Sequence, residues 1–195
     1  MVQTLTVREP RKDAQRNRTQ ILDAAREAFA SEGVEISMDA IAKRAGVGAG
    51  TLYRHFPSKD ALLAALLNLH HAALDEQRAA VELERDTGRA LQRWIDALGE
   101  WMLAYHGLPE PLRTACQVES ALTPTCLHVI STTEAILQSA QRDGLARQTL
   151  QGRDIFLGAL AIAWASGITA ADERTRVVLR DLLKDGWAVP RPEAD

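Results

Sequence analysis

A chain of 195 residues that is 46% hydrophobic and 25% charged buries a substantial core and is not a disordered polymer. Its formal net charge of −3 conceals a slightly basic head on an acidic body: residues 1–60 hold ten Lys/Arg against eight Asp/Glu, the remainder thirteen against eighteen. The polar N-terminus argues against a secretory signal, and the longest uncharged run, Ile155 to Ala171, falls short of the ~20 apolar residues that span a membrane.

In chain order, helical periodicity recurs and the alternation of strands does not. Ile21, Leu22, Ala25, Ala28 and Phe29 form one stripe, stopped at Gly33. Ser37 is placed to cap a short helix carrying Ile41, Ala42 and Ala45, which Gly46 ends. A second short helix runs from about Ala49 to Phe56. Pro57 breaks it, and Ser58 caps a long helix reaching about Leu83. The next helix starts near Thr87 and carries Leu91, Trp94, Leu98, Trp101 and Tyr105 on one face. After the interruption at Gly107 to Pro111 comes a short helix around 112–119. Thr123-Pro124 then reads as a cap and first-turn proline, opening a helix toward Gln141. Two final helices are expected over about 153–167 and 172–187, with a disordered tail from Pro190 to Asp195. The expected fold is all-α with about nine helices. The seam falls at the long helix after Ser58, giving a unit over 1–60 with an N-terminal arm (Arg11, Lys12, Arg16 and Arg18) and a second unit over 61–195.

Two very short helices joined at a glycine do not make an independent packing unit. Braced on the preceding helix they make a helix-turn-helix, in which Gly46 supplies a positive-φ turn and Ile41, Ala42, Ala45, Val47 and Leu52 a small core. The second short helix would then enter a major groove N-terminus first.

The order Ile41-Ala42-x-x-Ala45-Gly46-Val47, followed by Gly50-Thr51-Leu52-Tyr53-x-His55-Phe56-x-Ser58-Lys59, closely resembles the signature of the TetR family over about residues 14–68. The resemblance implies an all-helical homodimer, double-stranded operator DNA as partner, and a variable C-terminal half that answers to a small-molecule effector, usually by releasing repression. It makes Tyr53, His55 and Lys59 contacts to the DNA backbone, with Ser37 aimed at a phosphate from a helix N-terminus. Thr51 and Arg54 are the expected base-edge contacts, since Arg pairs bidentately with guanine. Gly48 departs from the serine that often starts this helix. Together with Ala49 and Gly50 it offers few polar atoms, so specificity leans on Arg54, methyl contacts and DNA shape.

Beyond that segment the resemblance is one of general plan. The aromatic stripe suggests a pocket for a largely apolar effector, with Trp94, Trp101, Tyr105, Cys116, His128 and Phe156 as candidates and His70 as a weaker one. Ile155, Ala159, Ile162, Val178, Leu179 and Leu182 are the expected dimer contacts. Cys126 and His128, two apart on a helix, diverge by roughly 200° and cannot share a metal. No metal and no cofactor is expected, and Cys116 and Cys126 fit a reducing, cytoplasmic setting. Without a Gly-rich phosphate loop or a GxSxG motif, an enzyme is not expected. The competing reading keeps the DNA binding and places the C-terminal half under a protein partner.

Overall fold

A computed structural model describes residues 10–168 and 172–189, without the side chains of 10–12, 70–73, 168 and 173. The expectations for Arg11, Lys12, the side chain of His70 and the tail from Pro190 fall outside what is described. Nine α-helices form among the described residues: α1 (Pro10–Glu32), α2 (Met38–Arg44), α3 (Ala49–His55), α4 (Lys59–Glu82), α5 (Thr87–Met102), α6 (Pro109–Ala115), α7 (Thr123–Arg142), α8 (Gly152–Ile168) and α9 (Glu173–Trp187). None is long and apolar enough to cross a membrane.

Local chemistry accounts for most of the boundaries. Ser37 Oγ accepts the Ala40 N–H at 3.2 Å, and Ser58 Oγ accepts that of Ala61 at 3.1 Å. Asp86 and Asp172 do the same for α5 and α9, through the N–H groups of Arg89 and Thr175. Each such cap satisfies an amide that the helix itself leaves without an acceptor. At α7 the cap differs from expectation. Thr123 is the first helical residue, and its hydroxyl turns back to accept the Ser120 N–H at 2.9 Å, so it closes the preceding turn instead. The first helix begins earlier than its apolar stripe, because Pro10 is tolerated in a first turn and the polar residues after it are adequate helix formers. Arg16 and Arg18 accordingly sit on a helix and not on an arm.

Helices α4, α5, α7 and α8 make the main bundle, α6 lies against α7 and α8, and α9 packs on α8. The first three helices form a small unit that rests on α4. One continuous apolar cluster runs from Ile21 in α1 to Trp187 in α9. The amphipathic face of α5 is its central seam: Leu91, Trp94, Leu98 and Trp101 are all buried, whereas Tyr105, expected on the same helix, is buried in the segment that follows its end at Met102. Trp94 brings a polar group into that seam and satisfies it, its indole N–H donating to Thr133 Oγ1 at 2.9 Å. Thr133 in turn donates to the Val129 carbonyl. The end of α9 is clipped to the loop after α7 by an antiparallel bridge between Ala146 and Ala188.

Candidate nucleic-acid interface

The helix-turn-helix is built around a dry centre. Ile41, Leu52 and Phe56 are fully buried against Ile21, Ala25 and Phe29 of α1, with Ala42 small enough to let α2 come close. Gly46 sits at φ +66°, a left-handed conformation that a side chain resists, and this reverses the chain between α2 and α3. The turn is closed by the Val47 N–H bonding to the Ala42 carbonyl at 3.0 Å. On the other flank the Arg18 guanidinium lies 4.7 Å above the Phe56 ring, bracing the end of α3 from α1. Arg44 pairs with Glu32, which ties α2 to the end of α1.

Burying Leu52 and Phe56 fixes which side of α3 is left over. Gly48, Ala49, Gly50, Tyr53 and Arg54 are exposed, and Thr51, His55 and Lys59 are half-buried beside them. Tyr53 keeps 46% of its surface in solvent, a poor position for a packing aromatic and a good one for a contact residue. A side chain added at Gly48 or Gly50 would meet nothing within 4 Å, so the leading turn of α3 is a smooth, open edge that a DNA groove can approach closely. Arg54 is held along its own helix, Nε donating to the Gly50 carbonyl at 3.1 Å and Nη2 to Thr51 Oγ1 at 3.2 Å. That leaves Thr51 and Arg54 as one polar unit on the exposed face. Ser37 uses its hydroxyl oxygen as the α2 cap, and its O–H remains a donor for another acceptor.

This unit is locked to the rest of the molecule through the α1–α2 turn. Gly33 adopts φ +80°, and a β-carbon there would stand 2.9 Å from the His106 carbonyl. The next residue, Val34, donates its N–H to that same carbonyl at 2.9 Å. Tyr105 meets Phe29 edge-on, with ring centroids 5.8 Å apart. Burial pushes the Tyr105 phenol above its ordinary pKa, with Arg26 partly opposing. The segment after α5 is thus seated on the base of the helix-turn-helix, a junction the sequence reading did not anticipate.

The other expected sites scatter. Trp94, Trp101 and Phe156 are core residues of the bundle of α5, α7 and α8, whereas Tyr105 is buried against Phe29 of α1. Cys116 is half-buried at the end of α6, and His128 faces solvent, so these six do not converge. Cys126 is buried beside Cys116, and burial together with that neighbour pushes its thiol up to about 12. A cleft between α5, α8 and α9 is lined by none of the six. The expected dimer contacts divide as well. Ile155 and Ala159, 2% and 3% exposed, point into their own protomer. Ile162 lines the cleft, Leu179 is half-buried, and Val178 and Leu182 are exposed. On α8 the outward apolar side is Leu157, Ala161 and Trp164, each two residues on from an expected contact and so about 200° around the helix from it.

The same chain matches two family models, "Bacterial regulatory proteins, tetR family" over residues 21–66 and "Transcriptional regulator SbtR-like, C-terminal domain" over residues 86–188. The second spans more than half of the sequence. This chain belongs to the TetR family of transcriptional regulators. An HTH-type transcriptional regulator of Staphylococcus aureus (strain USA300) is 57% identical over 53 residues, 27% of this chain and 29% of that protein. The chain therefore spans under a third of the curated relatives it matches. A TetR transcriptional regulator from Streptomyces coelicolor has a structure with TM-score 0.56 and 29% identity, covering 91% of this chain and 99% of the other. FadR from Bacillus subtilis, solved with stearoyl-CoA, is similar in fold, with TM-score 0.64 and 19% identity over 86% of this chain and 98% of that one. The TetR family plan, an N-terminal helix-turn-helix and a C-terminal helical domain, is the architecture described above.

Proposed function

We propose that this TetR-family regulator is a repressor that grips a palindromic operator as a homodimer and lets go when a small molecule occupies its C-terminal half. The observation that carries the DNA reading is the exposed side of α3, where Tyr53 and Arg54 stand out from a helix whose opposite side is fully buried. In this reading Tyr53, His55, Lys59 and Ser37 hold phosphates, while Thr51 and Arg54 meet base edges beside the bare edge made by Gly48, Ala49 and Gly50. The division runs between residues 60 and 61, with α4 shared by the two functional units.

The partner copy docks on the outward apolar side of α8 and α9. Trp164 is 46% exposed and Leu182 62%, beside Leu157 and Val178, more apolar surface than solvent exposure favours on two adjacent helices. A two-fold axis there sets the two α3 helices about one DNA turn apart, ~34–36 Å. The effector reading is supported by the FadR structures from Bacillus subtilis and Thermus thermophilus, which hold stearoyl-CoA and lauroyl-CoA. Releasing the operator ~100-fold needs the effector to favour the released state by about 2.7 kcal/mol.

The test is DNA binding at several salt concentrations, wild type beside Tyr53→Ala, on genomic fragments flanking the coding region. One dimer per fragment is expected to bind with nanomolar, salt-sensitive affinity, and the variant at least tenfold more weakly. A folded dimer that also draws nothing from a genome-wide selection of fragments would overturn the reading.

A further inference from the structure

The fold brings the chain's two cysteines together at the joint between α6 and α7. Cys116 caps the end of α6 and is half-buried, whereas Cys126, in the first turn of α7, is 2% exposed. Thr123 fixes the meeting. Its hydroxyl donates at 3.3 Å to the carbonyl of Ala115, the residue before Cys116. Thr123 and Cys126 stand three apart on α7 and so share a face, which turns Cys126 toward the end of α6. The Cys116 sulfur there acts on the Cys126 thiol both as a charged and as a hydrogen-bonding neighbour. Both thiols are free, and no group of three metal-ligating side chains forms among the described residues.

Two thiols in contact can be oxidised as a pair, and their unequal burial sets the order of events. Burial, with the Cys116 neighbour, pushes the Cys126 thiol up to about 12, so it keeps its proton at neutral pH. The attacking sulfur is therefore Cys116, the one that solvent reaches. It takes the terminal oxygen of a hydroperoxide: the O–O bond breaks, the alcohol departs with the thiol proton, and Cys116 becomes a sulfenic acid. The Cys126 sulfur then attacks that of Cys116. The S–O bond breaks, and the oxygen leaves as water with the proton Cys126 had kept. In sum, two thiols and a hydroperoxide give a disulfide, an alcohol and water, with two electrons passing from sulfur to the peroxide.

This bond pulls on the DNA-binding unit. Closing it draws the sulfurs from van der Waals contact to ~2.05 Å, so the joint must yield. Cys126 belongs to the core cluster of the bundle, whereas α6 is only seven residues long and is the lighter side of the joint. At its other end α6 follows directly on Gly107 and His106. The His106 carbonyl accepts the Val34 N–H at 2.9 Å, which seats the α1–α2 turn. A shift of α6 toward Cys126 therefore arrives at the base of the helix-turn-helix.

We propose that Cys116 and Cys126 are a redox-active dithiol, which hydroperoxides oxidise to an intramolecular disulfide that weakens the hold on the operator. The weakening rests on the operator-binding reading above, whereas the disulfide is measured without DNA.

The full chain is treated with hydrogen peroxide or cumene hydroperoxide, blocked with iodoacetamide and digested with trypsin. Cleavage after Arg113 and Arg142 leaves both cysteines in one peptide, so the disulfide registers as that peptide lighter by two hydrogens and closed to alkylation. The expected result is this peptide in the wild type, reversed by dithiothreitol, with operator affinity at least tenfold lower in the oxidised than in the reduced protein. Cys116→Ser and Cys126→Ala, each checked for native circular dichroism, are expected to form no disulfide, and Cys116→Ser to keep its operator affinity under peroxide. If Cys126→Ala does not fold, Cys116→Ser decides alone. Thiols that both stay open to alkylation, a Cys116 that ends as sulfinic acid, or a disulfide between two copies overturns the proposal. So does an intramolecular disulfide that leaves operator affinity unchanged. If Tyr53-dependent operator binding persists while no disulfide forms, the regulator reading stands and the dithiol falls. If the reduced chain binds no operator, that reading fails, and the peptide alone decides the dithiol.

Discussion

Trp94 and Thr133 show how one polar pair holds a position in an otherwise apolar seam. The indole brings the largest buried side chain into the bundle, and its N–H needs an acceptor that water cannot supply there. Thr133 provides it from α7 and donates its own proton to the Val129 carbonyl, so neither donor of this pair is left over. Thr133→Val keeps the shape and removes the acceptor. It is expected to destabilise the protein by about 1–3 kcal/mol, read as a lower denaturation midpoint, whereas Thr133→Ser is expected to retain most of the stability. A Thr133→Val variant as stable as wild type, with Thr133→Ser the weaker of the two, would show that the methyl group matters there and the hydrogen bond does not. At this scale the sequence was only partly legible. Trp94 announces burial by its place on the α5 stripe, yet nothing in the order of residues says that its partner is 39 positions away. Tyr53 is the reverse case. Its place in the Gly-Thr-Leu-Tyr run gave its expected role by resemblance, and the fold left its ring in solvent.

Among elements, the informative junction is the α1–α2 turn on the segment after α5. Gly33 is needed there for two separate reasons, a backbone at φ +80° and a carbonyl that a β-carbon would strike at 2.9 Å. A β-carbon added at the neighbouring Gly107, at φ +81°, would press on Val34 at 3.0 Å. Gly33→Ala is expected to cost stability by more than the ~1 kcal/mol of an ordinary positive-φ glycine replacement, because backbone must move as well. It is also expected to weaken the operator complex, since the misplaced turn carries α2 and α3 with it. A thermal melt and an operator titration of the same sample check both. A variant that melts as wild type does would mean that the junction yields and cannot transmit a displacement. The sequence marked Gly33 as a helix stop and no more, since a stop needs one chain segment and a junction needs two.

For the whole molecule, the question is what covers the apolar side of α8 and α9. Leu157, Trp164, Val178 and Leu182 form a surface that a single protomer leaves open while filling its own core with Ile155, Phe156, Ala159 and Leu160. Leu182→Glu is expected to convert a homodimer into a folded monomer, measured by light scattering, and to lower operator affinity more than a hundredfold because both half-sites can no longer be held together. Ile155→Glu is expected instead to unfold the chain, since that side chain has no route to solvent. A Leu182→Glu variant that stays dimeric would move the interface elsewhere.

By itself the sequence determined the helices, most of their caps and breaks, the helix-turn-helix and the family it belongs to. All of these rest on neighbours within a few turns of chain: Ser37 and Ser58 reach amides three residues on, and Gly46 turns its own backbone. Which side of α8 faces inward, which residues of α5 line a cleft, and where the α1–α2 turn comes to rest were decided only in three dimensions. On α8 the reason is plain. Apolar residues surround the helix almost completely, so periodicity names no single buried face, and the packing of α5 and α7 against it makes the choice.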